Sequence, residues 1–296
     1  MLPNFILAGT LPAGTGQLYG LLAQHPEVYL APPMQPECNF FFKTSEYEKG
    51  LSYYEERWFS GVVGQKAVGE RSSLLLSGER APDRVARHLP GVKLVFLFRN
   101  PADRAYANYR FTALAGYEDL DFEEALACEE RRRAEDAASE TFRAEIQPHA
   151  YFHRGLYDEE LARWLARFPA EQLLLMRSDE LQKDGERSMA KVFRFLGVDE
   201  TFRPEPFRDF SSPDVMDRKL QCRLRREHGP AFDAAIQRLR EGKSPQTELD
   251  RTVRSNVRDS YAPLSPDQRR RLASRYAGSI RRLAPLVPFS VEDWLG

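Results

Sequence analysis

The apolar run Phe5-Ile6-Leu7-Ala8 leads into Gly9-Thr10-Leu11-Pro12-Ala13-Gly14-Thr15-Gly16 and then into a segment with leucines at 18, 21 and 22. A strand, a glycine-bearing loop and a helix start in that order make an anion site. Backbone N–H groups line the loop, and the helix dipole adds partial positive charge. The Gly-x4-Gly spacing is that of a nucleoside triphosphate loop, which continues with Lys and then Ser or Thr. Here those places hold Thr15 and Gly16. The lysine for the β/γ-phosphates and the hydroxyl for Mg²⁺ are both missing, so an ATPase or GTPase is a poor reading. Taken alone, the loop is equally compatible with a plain glycine turn between a strand and a helix.

A second basic group stands at the end of the strongest apolar run. Lys93-Leu94-Val95-Phe96-Leu97-Phe98 has the continuous apolar character of a strand covered on both faces. Arg99-Asn100-Pro101 follows it directly. Ligands of parallel sheets bind beyond the carboxyl ends of the strands, and a planar guanidinium suits a phosphate. The same arginine could instead cap a helix at the surface. Pro101 opens a helix, because the first turn tolerates a missing N–H.

The elements that would hold these groups alternate. Short strands are predicted at 5–8, 28–30, 67–69 and 173–176, with Glu70-Arg71-Ser72 at a strand end. Helices are predicted over 17–24, 47–59, 122–143, 157–168 and 187–196 from their helical spacing. Alternation through about residue 200 predicts an α/β fold with a central parallel sheet flanked by helices. Beyond it, residues 203–217 read as an excursion, 240–263 as a polar loop and 265–285 as a basic helix. Together these would form a C-terminal cap on one domain spanning 1–296. The run Arg131-Arg132-Arg133, balanced by Glu129, Glu130, Glu135 and Asp136, reads as a solvated helix face. Phe40-Phe41-Phe42 reads as core, and Cys38 as a pocket wall with no matched base.

The chain has 296 residues, 43 Lys and Arg, 44 Asp and Glu, and a net charge of −1. That balance argues against a broadly basic nucleic-acid binder and against wholesale disorder. No apolar run approaches the ~20 residues that span a bilayer, and the N-terminal apolar run is too short for a signal peptide. Three cysteines without C-x-x-C spacing fit a reducing compartment, and the reading is a cytoplasmic protein with no metal site.

The ordered combination of motifs resembles the PAPS-dependent sulfotransferases, closest to their bacterial and heparan-sulfate-type branch (PAPS is 3′-phosphoadenosine 5′-phosphosulfate). The correspondence runs through Pro3-Asn4-Phe5, the loop 9–16, His25-Pro26, Pro36-Glu37 with Phe40-Phe41, and Glu70-Arg71-Ser72. It continues through Arg99-Asn100-Pro101-Ala102-Asp103-Arg104-Ala105-Tyr106-Ala107-Asn108-Tyr109, Gly155-Leu156-Tyr157, Trp164-Leu165, Phe168-Pro169, Phe195-Leu196-Gly197 and residues 261–266. Each motif is weak alone; their order along nearly the whole chain is specific.

The resemblance implies sulfuryl transfer from PAPS to a hydroxyl or amine of a small metabolite or glycan, leaving 3′,5′-adenosine bisphosphate (PAP), with no metal. It implies that Leu11, Pro12, Ala13, Gly14, Thr15 and Gly16 hold the 5′-phosphosulfate, that Arg99 with Ala107 and Asn108 holds the 3′-phosphate, and that Glu37 is the general base. Four positions depart from the pattern. Pro12 replaces the loop lysine, Gly16 a threonine, Pro36 the lysine before the acidic residue, and Ala107 a serine, with Asn108 beside it as a substitute donor. Arg71 is the candidate to supply the missing charge at the sulfuryl group. Arg254 and Arg258 are further cations able to reach the donor. His153, ahead of the 157–168 helix, could line the acceptor pocket or act as a second base; a helix-cap or surface role is the plainer alternative. Glu37 could likewise be a structural partner of an arginine. Arg269-Arg270-Arg271 reads as surface, with a 3′-phosphate contact as the alternative. A second function remains open: a protein of this fold that binds a nucleotide or other anion without transfer, or uses a different donor. Neither the acceptor nor the oligomeric state is legible.

Overall fold

The structure is a computed structural model that describes residues 1–141, 143–207, 213–260 and 262–296. In chain order the elements are β1 (Phe5–Leu7), α1 (Thr15–Leu22), β2 (Val28–Leu30), α2 (Thr44–Tyr47), α3 (Gly50–Phe59), β3 (Ala67–Arg71), α4 (Ala81–His88) and β4 (Lys93–Phe98). Then come α5 (Pro101–Leu114), α6 (Phe122–Ala127), α7 (Glu129–Ala137), α8 (Arg143–Ile146), α9 (Tyr157–Leu165), β5 (Leu173–Arg177), α10 (Glu180–Lys183) and α11 (Gly185–Leu196). The last are β6 (Asp214–Val215), α12 (Arg218–His228), α13 (Pro230–Arg240), α14 (Glu248–Ser255), β7 (Val257–Arg258) and α15 (Pro266–Leu283). The chain divides into two compact units: 1–100, 156–209 and 276–295 form one, and 101–155, 210–275 and 296 the other.

The first unit holds the five-stranded sheet, ordered β2-β3-β1-β4-β5, with every pairing parallel. Apart from charged residues at strand ends, such as Glu70 and Arg71 of β3, its strands are apolar on both faces, as a sheet covered by helices on each side requires. Phe5, Leu7, Val95, Leu97, Leu174 and Met176 face one way and pack with Leu18, Leu21 and Leu22 of α1 and Met189, Val192, Phe193 and Leu196 of α11. The alternate residues of β4 face the other way: the Phe96 ring meets Trp164 of α9 at 5.3 Å and Phe98 meets Tyr157 at 5.2 Å. Each such buried side chain contributes roughly 1.5–3 kcal/mol. Gly69, register partner of Phe5, leaves room for that ring; a Cβ there would lie 2.4 Å from Phe5 Cζ.

The second unit has its own core of Ala113, Leu114, Leu224, Phe232, Ile236 and Val253, with β6 and β7 paired antiparallel beside it. Three expectations are corrected there. The helix predicted over 122–143 breaks at Cys128, which closes α6 and opens α7. Its charge run is a solvated face only in part: Glu130, Arg131 and Glu135 are exposed, and the rest turns inward. Glu129 and Asp136 are buried; Arg132 is ion-paired to the buried Glu118; Asp136 takes Arg143 and His149. The polar loop predicted over 240–263 contains α14. The Thr247 and Asp250 side chains form a reciprocal capping box at its start, and Val253 is buried under it. Parts of the 203–217 excursion and residue 261 lie outside the described residues.

Candidate active site

In an open parallel sheet, ligands bind beyond the carboxyl ends of the strands where the strand order reverses. In the order β2-β3-β1-β4-β5 that reversal is at β1. Leu7, the last residue of β1, registers with Arg71 on β3 and Val95 on β4. The glycine loop, Arg71 and Arg99 therefore leave neighbouring strands at the same end of the sheet.

The loop begins only after Thr10, because sheet pairing continues that far: the Ala8 and Thr10 N–H groups donate to Val95 and Leu97 carbonyls at 2.8 and 2.9 Å. Gly14 ends the loop with φ 86°, a left-handed conformation suited to glycine, and is the N-cap of α1. It has no side chain to cap the helix, so the first-turn N–H groups are left for an anion. Thr15 and Gly16 are buried in that turn, Ala13 is buried before it, and Leu11 and Pro12 are half-buried. Pro12 offers neither charge nor N–H. Thr10 was missed in the sequence reading. Its Oγ1 is buried, with no hydrogen-bond partner among the described residues.

Arg71 and Glu37 are brought together. Arg71 Nη2 lies 3.1 Å from Glu37 Oε1, with the two side chains 5% and 8% exposed. The same nitrogen donates to the Met34 carbonyl at 2.8 Å, and the guanidinium sits 5.9 Å from the ring centre of Tyr19 on α1. Arg71 Nε is buried without a hydrogen-bond partner among the described residues. The guanidinium thus bridges the Glu37 segment and the helix that follows the loop while retaining an unused donor.

Two serines that sequence reasoning left without a role complete the arrangement. Ser73 donates to Glu37 twice, from its N–H at 2.7 Å and from its Oγ at 2.7–2.8 Å, and Gln35 Nε2 adds a 3.4 Å contact. Ser72 Oγ accepts from the Asn39 N–H at 2.8 Å and donates to Glu70. Glu70 is fully buried. Burial, more than the neighbouring Glu37 charge, pushes its carboxyl up to about 8. The adjacent Cys38 thiol is also held up by burial, which leaves it without nucleophilic character. Its place two residues after Arg71 is the only sequence signal for Ser73, since its partner lies 36 residues away.

Arg99 follows β4, and its carbonyl accepts from the Tyr157 hydroxyl at 2.9 Å. Among the described residues its guanidinium has no ion-pair partner. The remaining candidates belong to the second unit. Ala107 and Asn108 lie on α5. Asn108 is buried; its Oδ1 accepts from Arg104 at 3.0 Å and its Nδ2 donates to Thr112 at 3.3 Å. The His153 N–H donates to the buried Glu129 at 2.8 Å. Arg254 and Arg258 are exposed, the first 3.6 Å from Asp259 and the second opposite Asp214 in the β6–β7 pair. Arg269, Arg270 and Arg271 pair with Asp103, Asp267 and Glu123.

A parallel sheet with a glycine loop at its switch point, Arg71 at the end of β3 and Arg99 directly after β4 is an α/β arrangement with the geometry of an anion site. Residues 3–217 match the family model described as "Sulfotransferase domain", and the chain belongs to that family. The human bifunctional heparan sulfate N-deacetylase/N-sulfotransferase 3 is 29% identical over 205 residues, which cover 67% of this chain and 22% of that protein. The human heparan sulfate glucosamine 3-O-sulfotransferase 3B1 is 26% identical over 264 residues, covering 89% of this chain and 62% of that protein. The chain thus spans less than two thirds of the length of either relative. A crystal structure of a sulfotransferase from Alicyclobacillus acidocaldarius superposes with a TM-score of 0.70 at 24% identity, covering 99% of both chains, and shares the fold. A mouse sulfotransferase solved with PAP is a more distant likeness: TM-score 0.46, 15% identity, 94% of this chain and 85% of that one. Among the described residues no helix is long and apolar enough to cross a membrane.

Proposed function

We propose that the protein transfers the sulfuryl group of PAPS to a hydroxyl or amine of a small metabolite or glycan. The observation that carries this reading is the buried Arg71–Glu37 pair beside the glycine loop. It sets a cation with an unused donor and a carboxylate next to an anion cradle. In the transfer, an acceptor oxygen or nitrogen forms a bond to sulfur as the bond from sulfur to the bridging phosphate oxygen breaks. PAP leaves, and the acceptor proton passes to Glu37. The loop N–H groups of residues 11–16 and Arg71 stabilise charge on the moving group and on the leaving phosphate, and Arg99 binds the 3′-phosphate. By the family pattern Ala107 and Asn108 belong to the 3′-phosphate element; His153 as an acceptor-pocket residue or second base, and Arg254 and Arg258 as cations for the donor, are readings of the residues alone. Glycan acceptors are supported by relatives named for heparan sulfate and its glucosamine. The free cysteines support a cytoplasmic setting.

The test is calorimetric binding of PAP with AMP as control, followed by turnover of ³⁵S-labelled PAPS with a glucosamine-containing oligosaccharide and with 2-naphthol. Binding that needs the 3′-phosphate and falls about ten- to hundredfold in Arg99→Ala supports the donor site. No PAP binding at millimolar concentration removes it. A second reading, nucleotide or anion binding without transfer, is favoured by Pro12 in the loop. It predicts tight PAP binding with no labelled product.

A further inference from the structure

We propose that Ser73 is the positioning residue for Glu37, fixing the direction of its carboxylate independently of Arg71. This rests on the reading of Glu37 as the base. The geometry separates the roles of three consecutive residues. Arg71 reaches Glu37 at 3.1 Å and divides its guanidinium between that carboxylate and the Met34 carbonyl. Ser72 ties the backbone of the same segment through the Asn39 N–H. Ser73 alone makes short contacts to both carboxylate oxygens, 2.7 Å from its N–H to Oε2 and 2.7–2.8 Å from its hydroxyl. The N–H is fixed by the backbone that continues from β3, so its direction does not depend on a rotamer.

A carboxylate has about four lone-pair sites. The Ser73 N–H fills one on Oε2, its hydroxyl proton fills one other, and Arg71 lies against Oε1. When the Arg71 guanidinium turns to the anionic donor, a site on Oε1 opens toward an acceptor proton. The carboxylate does not swing away, because Ser73 still holds it. Misplacing a reacting group by about an ångström costs roughly a hundredfold in rate, and that is the loss Ser73 guards against.

The experiment compares Ser73→Ala and Ser73→Thr with the parent protein in two readouts. In ³⁵S-PAPS turnover with the acceptors above, Ser73→Ala lowers kcat ten- to hundredfold while KM for PAPS and the PAP affinity stay within about twofold; Ser73→Thr restores kcat. In ¹³C NMR of glutamate-labelled protein, the Glu37 Cδ resonance, identified by its loss in Glu37→Gln, moves in Ser73→Ala and returns in Ser73→Thr. If Ser73→Ala does not fold, Ser73→Cys takes its place. A kcat within twofold of the parent, or an unmoved Glu37 resonance, overturns the proposal. A parent protein that turns over neither acceptor counts against the transfer reading, and the resonance then decides the Ser73 contact by itself.

Discussion

Arg71 and Glu37, 34 positions apart in the chain, form a buried ion pair, with the arginine on the last position of β3 and the carboxylate on the segment before α2. Neither side chain is more than a tenth exposed. Removing one member of such a pair strands the other charge away from water, which costs about 3–5 kcal/mol. Arg71→Ala is therefore expected to lower unfolding free energy by about that amount in urea titration. The double variant Arg71→Ala/Glu37→Gln recovers at least part of it, because no uncompensated carboxylate remains. Equal losses in the single and double variants would show that the pair is not coupled.

Glu70 gives the stability of the protein a pH dependence. Its carboxyl titrates at about 8 in the fold against an ordinary value of 4.5. Burial is the main cause; Glu37 pushes the same way, while the Ser72 and Tyr54 hydroxyls and Arg71 push back. A raised carboxyl keeps its proton in the folded state where the unfolded chain has lost it. The folded state then binds more protons between about pH 4.5 and 8, and this group's contribution to stability declines as pH rises through that window. Glu70→Gln keeps an acceptor for Ser72 and removes the titration. Urea unfolding from pH 5 to 8.5 is expected to show the slope in the parent and a flatter curve in Glu70→Gln.

The strands could be read from the sequence because burial on both faces leaves a continuous apolar run, as at 93–98 and 173–177. The second unit was harder to read, because its helices bury few apolar residues. In α14 only Val253 and the capping Asp250 are buried. Its start was nevertheless written in Thr247-x-x-Asp250, a local signal that overall polarity obscured. The break at Cys128 had no such mark. Arg132 and Asp136 looked solvated because their buried partners, Glu118 and His149, lie 13 or more residues away. At the site, the loop, Arg71, Arg99 and Glu37 were legible by type and order. The pairing of Arg71 with Glu37 and the grip of Ser73 were not, since both depend on which segments the sheet brings together.

Pro12 offers a direct test of where the two phosphates lie. The loop leaves the sheet after Thr10, and α1 opens at Gly14 without a side-chain cap, so Pro12 stands in the segment between. It is half-buried. A lysine there adds one charge-assisted hydrogen bond to a phosphate in the loop, worth about 1.5–3 kcal/mol. Pro12→Lys is therefore expected to tighten PAP about ten- to hundredfold, and AMP by the same factor, because both carry the 5′-phosphate. Arg99→Ala acts differently: it weakens PAP and leaves AMP unchanged, since only PAP carries the 3′-phosphate. Isothermal titration of both ligands against both variants separates the two ends of the nucleotide. If Pro12→Lys tightens PAP alone, the 3′-phosphate and not the 5′-phosphate occupies the loop. If it tightens neither, the loop does not hold a phosphate.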